Sequence, residues 1–398
     1  MPPKIIMDGV FAVNKQSGAT SRAVLDQLNR ILSSSKVSQE SLQKLQNTRK
    51  QAQGKQRIKK WKTTKLKMGH GGTLDPLASG VLVIGVGSGT KKLGDYTNGS
   101  VKKYECIGLL GGSTTTGDSE GELLLKTEVG HVTKDLLEQT RERMVGTLDQ
   151  TPPIFSALKM DGKRLYEYAR EGLPLPRQIK SREVKITDMD IKDDTLTTEH
   201  DYVFLKSEVD ENGKTLAEQL ANNPTLNDHA VPFSREWNDE HKGDDSLPLE
   251  MRIIKDSKVY EDEAYRAPLL HFDATVSSGT YIRSLLSDLG RAVGSSSYMV
   301  KLVRWKQAEW ELNKNVFEMD DFIKYGEEIW APVLEKVLSS DNGNVNVREE
   351  MEKAIKAHPE AVKNEAEKKK EEGEEAKKEE KSNSAEGSGE PPLKKTKT

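Results

Sequence analysis

GHGGTLDPLASG, the run from Gly69 to Gly80, holds the densest concentration of unusual chemistry in the chain, and what flanks it decides how the chain folds. Its glycines let a loop turn sharply or admit a ligand close to the backbone. Pro76 pushes Asp75 toward an extended conformation and stiffens the exit from the turn, so the carboxylate projects from a fixed backbone. The β-branched run VLVIGV that follows predicts a buried strand starting near Val81, which sets the aspartate at a sheet edge. On turn chemistry alone, an Asp before Pro is a residue that bonds its own backbone. Its surroundings must decide whether it does more.

Upstream, GVFAV (Gly9–Val13) predicts a short strand, then a turn around Gly18 and a helix opened by Thr20 or Ser21, with Val24, Leu28, Ile31 and Leu32 on one face. Ser33 to Lys67 is polar and then strongly basic, ending in QGKQRIKKWKTTKLK, with no acidic residue between Ser41 and Lys67. A charge run is ordinarily a solvated face. Basic residues with Trp61 interleaved, placed directly before the Asp75 turn, suit contact with a phosphate backbone.

Downstream, KKYECIGLL (Lys102–Leu110) predicts a strand that brings Tyr104 to the same end of the sheet as Asp75. LYEYAREG predicts a short helix. Around it Lys159, Lys163, Arg164 and Arg170, with Tyr166 and Tyr168, gather positive charge and planar faces, which suits a folded RNA arm. Arg182–Ile191 alternates as a strand, whereas Ser207 to Ala264 runs polar with acidic clusters and is expected to be a long surface insertion. LLHFDATV resumes the sheet; a tight turn at Gly279 leads into a helix with Ile282, Leu285, Leu286, Leu289 and Val293 at helical spacing, closed by Gly294. Arg283 falls in the first turn of that helix, where the macrodipole disfavours a cation, so it calls for a buried carboxylate partner. Phe317 to Ile355 keeps helical patterning, with Ile329, Val333, Leu334, Val337 and Leu338 as its stripe. From His358 the Lys/Glu-rich chain has no apolar face to offset the entropy of folding, and disorder is expected over 358–398.

Composition sets the outer bounds. Charged residues make up 31% of the 398 residues and hydrophobic ones 34%, so part of the chain has too little apolar surface to bury itself. The net charge of -3 averages very unequal segments, and local charge is what a partner meets. One cysteine, Cys106, excludes an internal disulfide framework and a multi-cysteine zinc site. No apolar run reaches bilayer-crossing length, and the first residues make a poor leader, so no membrane partner and an intracellular location are expected. A P-loop, a dinucleotide fingerprint and a metal-ligand cluster are all missing from the sequence, and neither cofactor nor metal is expected.

GHGGTLDPLASGVL closely resembles the catalytic motif of the TruB family of pseudouridine synthases, with Gly71 where that family usually has Thr. Further blocks follow in family order within Gly9–Leu32, Lys67–Gly121, Thr151–Ile191 and His271–Trp310. The opening block carries Lys15, followed by Gln16 where Pro is usual; KKY carries Tyr104, one residue further from the aspartate than in bacterial relatives; GTYIR carries Tyr281 and Arg283; YMVKLVRW carries Leu302. The resemblance implies an α+β pseudouridine synthase fold: a central mixed, largely antiparallel sheet flanked by helices and loops over residues 1–357, interrupted by a basic insertion at 33–67 and a polar one at 207–264. It implies a catalytic set of Asp75, Tyr104 and Arg283. His70 would be the wedge that replaces a flipped base, Tyr281 and Leu302 pocket walls, Lys15 a helper of the loop, and Lys91, Lys159, Lys163 and Arg164 RNA contacts.

Within the family, PLASG and the lack of a segment like the C-terminal RNA-binding domain of many bacterial members look more like the stand-alone tRNA branch, of eukaryotic and fungal type, than the guide-RNA-dependent dyskerin branch. The implied activity is isomerisation of uridine to pseudouridine at position 55 in the T-loop of tRNA, by a monomer that also meets some mRNA. A guide-dependent rRNA enzyme and a non-catalytic RNA-folding chaperone are the alternatives. The terminal PPLKKTKT is a short basic cluster of the kind read by import receptors; it points to the nucleus, with mitochondrion and cytoplasm as alternatives.

Overall fold

The computed structural model describes residues 6–51, 64–206, 223–254, 258–340 and 343–359. Trp61 with most of the basic run, the start of the polar insertion at 207–222 and nearly all of the tail therefore lie outside the described residues. The strands are β1 (Gly9–Lys15), β2 (Met68–His70), β3 (Ser79–Val86), β4 (Lys102–Leu110), β5 (Gly112–Thr114), β6 (Leu123–Thr127), β7 (Gly146–Gln150), β8 (Lys159–Met160), β9 (Lys163–Arg164), β10 (Arg182–Ile191), β11 (Ile253–Ile254), β12 (Leu269–Val276) and β13 (Ser297–Gln307). The helices are α1 (Ser21–Ser34), α2 (Gln39–Gln51), α3 (Leu93–Asn98), α4 (Lys134–Met144), α5 (Leu165–Arg170), α6 (Arg235–Glu240), α7 (Ile282–Ala292), α8 (Met319–Lys324), α9 (Glu327–Ser339) and α10 (Val347–Ala357). The described residues form two compact units, one drawn from 8–26 and 67–316, the other from 6–7, 27–51, 64–66 and 317–359.

In the larger unit the strands run in the order β1-β3-β13-β4-β12-β10-β7, with β2 also paired to β3. β3 and β13 are parallel, through Val303 opposite Ser79 and Arg304 opposite Gly80, while the neighbouring ladders are antiparallel. The strand after the Asp75 loop is thus interior and buried, as its apolar run predicts, so Asp75 precedes an interior strand and does not stand at the sheet edge expected for it. A run that is apolar at successive positions has no polar face to give solvent, which is the pattern of a strand covered on both faces. Gly80 is needed at the switch to parallel pairing: its φ is +108°, and a Cβ there would lie 2.3 Å from the Arg304 carbonyl oxygen.

One face of the sheet buries α7, which contributes Ile282, Leu285, Leu286 and Leu289 to a core with Phe272, Ala274, Leu148 and Val184. Truncating a Leu or Phe in such a core costs about 2–5 kcal/mol. Cys106 lies fully buried in the same core, midway along β4, and burial pushes its thiol far above the ordinary range. Helix α1 opens as its sequence predicts: the Thr20 hydroxyl accepts from the Ala23 N–H at 3.0 Å. Gly279, with φ +90°, turns the chain into α7, and Gly294, with φ +72°, follows its end.

Three elements depart from the sequence expectations. Helix α4, capped by Thr133, was hidden because only a few of its residues are apolar. Helix α2 forms in the polar stretch after Ser33 with none of its residues buried, so no hydrophobic period announces it. The described flanks of the polar insertion do more than coat a surface: Asn223, Ser234, Leu247 and Tyr260 are buried. In the smaller unit, Ile329, Val333, Leu334 and Val337 of α9 are buried, and the rings of Phe317, Phe322 and Trp330 meet in series, tilted to one another, with centroids 5.1 and 5.4 Å apart. Among the described residues no helix is long and apolar enough to cross a membrane.

Candidate active site

The loop between β2 and β3 is fastened from below by the connection between β1 and α1. Ser21 Oγ donates to the Leu74 carbonyl and accepts from the Leu74 N–H, both at 2.9 Å. The Gly18 N–H donates to the Pro76 carbonyl at 2.9 Å, and Ser17 Oγ to that of Leu77 at 2.6 Å. Lys15 is fully buried at the end of β1, where its ammonium donates to the carbonyls of Gln16, Ala19 and Pro76. Burial lowers its pKa to about 8 against the pull of Asp75. Its place is under the turn, spending its donors on backbone.

From the other side, β13 grips the glycines. Arg304, almost wholly buried, donates to the Val81 carbonyl at 2.7 Å and to that of Gly72 at 3.3 Å; Gln307 donates to Gly71 at 2.5 Å. Gly71, the departure from the family's usual Thr, sits against Tyr96, where a Cβ would come within 2.7 Å of the tyrosine Cβ. His70, at the end of β2, is half-buried with its Nδ1 enclosed and without a hydrogen-bond partner. Burial, helped by the Arg304 charge, lowers its pKa, so a neutral ring is favoured.

Held this way, Asp75 meets Arg283. The guanidinium donates through Nε to Asp75 Oδ2 at 2.9 Å, through one terminal nitrogen to the Thr116 carbonyl at 2.5 Å, and through the other to the Phe155 carbonyl at 2.8 Å. A second carboxylate, Asp118, stands 3.8 Å from the same Nε. Burial works against the Arg283 charge, but Asp75 first and Asp118 next raise its pKa above the ordinary guanidinium value. The side chain of Asp75 is 34% exposed and that of Arg283 4%, so the cation is sealed while its carboxylate partner faces outward.

Tyr104 and Leu302 are buried in one apolar floor with Leu74, Ala78 and Ile282, where Leu302 lies opposite Cys106 and Tyr104 opposite Arg304. Tyr281 stands before α7: its N–H donates to Gln150 Oε1 at 2.7 Å, Gln150 Nε2 donates to its carbonyl at 3.1 Å, and the Arg182 guanidinium lies 4.8 Å above its ring. The structure therefore brings Asp75, Arg283, Tyr104, Tyr281, Leu302 and the Lys15-supported turn into one unit. Asp118, Arg304, Gln307, Gln150 and Arg182 join them from distant parts of the chain.

The remaining cations lie apart from the carboxylates. Lys91, Lys159 and Arg164 are exposed. β8, β9 and α5 form a small hairpin on a core of Ile154, Met160, Leu165 and Tyr168. There Lys163 pairs with Glu171 and lies 5.1 Å over the Tyr168 ring, while Arg164 and Arg170 sit over Tyr166 at 5.6 and 5.2 Å. Guanidinium and phenol planes so arranged offer both phosphate contact and stacking. Among the described residues no cluster of His, Cys, Asp and Glu is arranged to hold a metal ion.

Residues 57–212 match the model of the TruB family pseudouridylate synthase, N-terminal domain. The chain is 48% identical over 370 residues to tRNA pseudouridine synthase 4 of Saccharomyces cerevisiae, spanning 90% of this chain and 91% of the relative. It is 36% identical over 348 residues to the Schizosaccharomyces pombe protein of the same name, spanning 80% and 84%. Among solved structures, a Cbf5-Nop10-Gar1 complex aligns over 88% of this chain and 62% of the matched one, at 19% identity and a TM-score of 0.43.

Proposed function

The chain belongs to the TruB family of pseudouridylate synthases, and from that premise we propose that Asp75 carries the chemistry, with Arg283 holding its carboxylate in place. The protein is a tRNA pseudouridine synthase, an isomerase that converts uridine to pseudouridine in tRNA. Three events make up that conversion: the bond from uracil N1 to the sugar breaks, the base turns, and C5 bonds to the same sugar carbon while giving up its proton to the vacated nitrogen. No redox or phosphoryl step is involved.

What the site must supply is one ionised carboxylate at the sugar, acting as nucleophile or removing a sugar proton. Asp75 is the carboxylate presented outward, and the Arg283 guanidinium donates to it at 2.9 Å. That pairing is the observation that carries the reading. Tyr104, in the apolar floor, would stack on the loosened uracil and assist loss of the C5 proton. Tyr281 and Leu302 exclude water, which would otherwise intercept the sugar and lose the base. His70, neutral and at the rim, fills the vacancy left by the flipped uridine, whose unstacking costs a few kcal/mol.

The substrate position we propose is uridine 55 in the T-arm, with the enzyme acting as a monomer and also on some mRNA. The hairpin of Lys159, Lys163 and Arg164, with Lys91 and the basic segment before the loop, supports this as a surface for a folded RNA arm. We also propose nuclear residence through PPLKKTKT; a fluorescent fusion lacking those residues with unchanged nuclear signal would end that proposal. For the site, the test is Asp75→Asn on an unmodified tRNA transcript alone. Pseudouridine formation at position 55 should vanish with tRNA affinity largely kept, since basic surfaces supply most of the binding. Residual turnover within about tenfold of wild type would remove Asp75 from its role.

A further inference from the structure

Behind Arg283 lies a segment that the catalytic reading leaves unused. Residues 223–234, the first described part of the polar insertion, cross α7 as a strap. A turn shapes it: the Thr225 N–H and hydroxyl both donate to Asp228 Oδ2, at 2.6 and 3.0 Å. Arg291, almost fully buried two turns after Arg283 on the same helix, pins it by donating to the carbonyls of Leu226, at 2.6 Å, and His229. Val231 and Phe233 dock on the main core, and Asn223 Nδ2 donates to the Leu173 carbonyl at 3.1 Å, at the exit of the basic hairpin.

Between its anchors the strap touches β5 and the loop that follows it. Asn227 Nδ2 donates to Ser113 Oγ at 2.9 Å. Leu226 packs directly on Gly117, so closely that a Cβ there would fall 2.5 Å from Leu226 Cδ1; the same added Cβ would lie 3.5 Å from the Arg283 Cβ. Gly117 stands between Thr116, whose carbonyl receives the Arg283 guanidinium, and Asp118, the second carboxylate facing it. The leucine thus presses on the residue that joins two of the groups fixing the guanidinium beside Asp75.

We propose that Leu226 and Arg291 are positioning residues for the isomerisation. Arg291 fixes the strap, and the strap's leucine sets the loop of Thr116, Gly117 and Asp118 against Arg283. The proposal rests on the reading of Asp75 and Arg283 as the reacting centre. Arg291 serves the Leu226 and His229 carbonyls from two separate nitrogens of a planar fork, a geometry that a lysine, whose donors radiate from a single atom, does not reproduce. Small displacements at a catalytic centre are costly in rate, so the expected signature is lost turnover with binding kept.

The test uses the full chain and a tRNA transcript tritiated at uridine C5, with enzyme in excess, so that tritium release reports a single turnover; tRNA affinity and thermal melts are measured alongside. Arg291→Lys and Leu226→Ala should each slow the turnover step about tenfold or more with affinity within about twofold, and Leu226→Met, which restores the reach of the side chain, should recover most of the rate. Leu226→Ala decides the matter if Arg291→Lys does not fold, because it removes no buried charge. A Leu226→Ala protein turning over at the wild-type rate overturns the proposal, as does a loss appearing wholly in affinity. Wild-type protein and Asp75→Asn turning over alike would bring down the underlying reading as well, which separates the two failures.

Discussion

Replacing Arg283 by lysine keeps the positive charge and changes only its shape, so it isolates what the guanidinium fork contributes. The native side chain serves Asp75, the Thr116 carbonyl and the Phe155 carbonyl from three different nitrogens, at 2.9, 2.5 and 2.8 Å. An ammonium cannot reach three acceptors disposed around a planar group, and at least one of them loses its donor, at about 1–3 kcal/mol where it is a buried carbonyl. Two would be lost if the ammonium follows Asp75, giving a stability cost of about 2–6 kcal/mol. If it follows the carbonyls, Asp75 loses a charge-assisted bond worth about 1.5–3 kcal/mol in full burial; with its side chain 34% exposed, the lower end applies. At 1.4 kcal/mol per factor of ten, that is roughly a tenfold slower turnover. Urea unfolding and single-turnover tritium release on the same preparation read both quantities. A folded Arg283→Lys protein with a stability loss below about 1 kcal/mol and an unchanged rate would refute the claim that the fork geometry matters.

Asp75→Asn should abolish pseudouridine formation and spare tRNA binding, read by mapping position 55 and by filter binding across a salt series. Gly80→Ala must place a Cβ 2.3 Å from the Arg304 carbonyl oxygen at a φ of +108°, so it should cost about 3 kcal/mol or more; an unchanged urea midpoint would show that β3 and β13 part without cost. Burial pushes the Asp288 carboxyl up to about 7 although Arg291 opposes it, so the folded state holds that proton more tightly than the unfolded one. The associated stability is present below the ordinary carboxylate range and is lost as pH rises through about 7. Asp288→Asn should therefore gain on wild type between pH 5 and pH 8, and an equal offset at both would count against the shifted carboxyl.

The parts of this architecture that sequence made legible are those whose signal is local. Asp75, Tyr104, Arg283 and Leu302 each sit in a short string that also contains the turn or strand positioning it, and the helix of Arg283 shows its apolar spacing openly. Arg304 and Gln307 reach back more than two hundred positions to hold Gly72 and Gly71, and a polar residue in a strand announces neither its direction nor its partner. Asp118 had a cue in the acidic, glycine-bracketed GDSEG, but a turn-forming aspartate and one that faces a buried arginine look alike until the chain is folded. The strap carried no periodicity at all: its apolar residues are isolated anchors, and its hold comes from carbonyls accepting hydrogen bonds from Arg291, which any sequence could provide.

Cys106 gives the central sheet a built-in chemical clock. The chain has one thiol, fully enclosed midway along β4, the strand between the helix-bearing β12–β10–β7 side and the β3–β13 side that carries the catalytic loop. Enclosure also suppresses its thiolate, the only form that reacts with a disulfide reagent. Any labelling of the native protein therefore counts moments at which the core over β4 opens, without a mutation, a probe or a second cysteine to confuse the count. If tRNA binds the closed sheet alone, saturating RNA should slow that count in proportion to its occupancy. Labelling that proceeds at the same pace with and without RNA would mean that the sheet opens beneath a bound substrate.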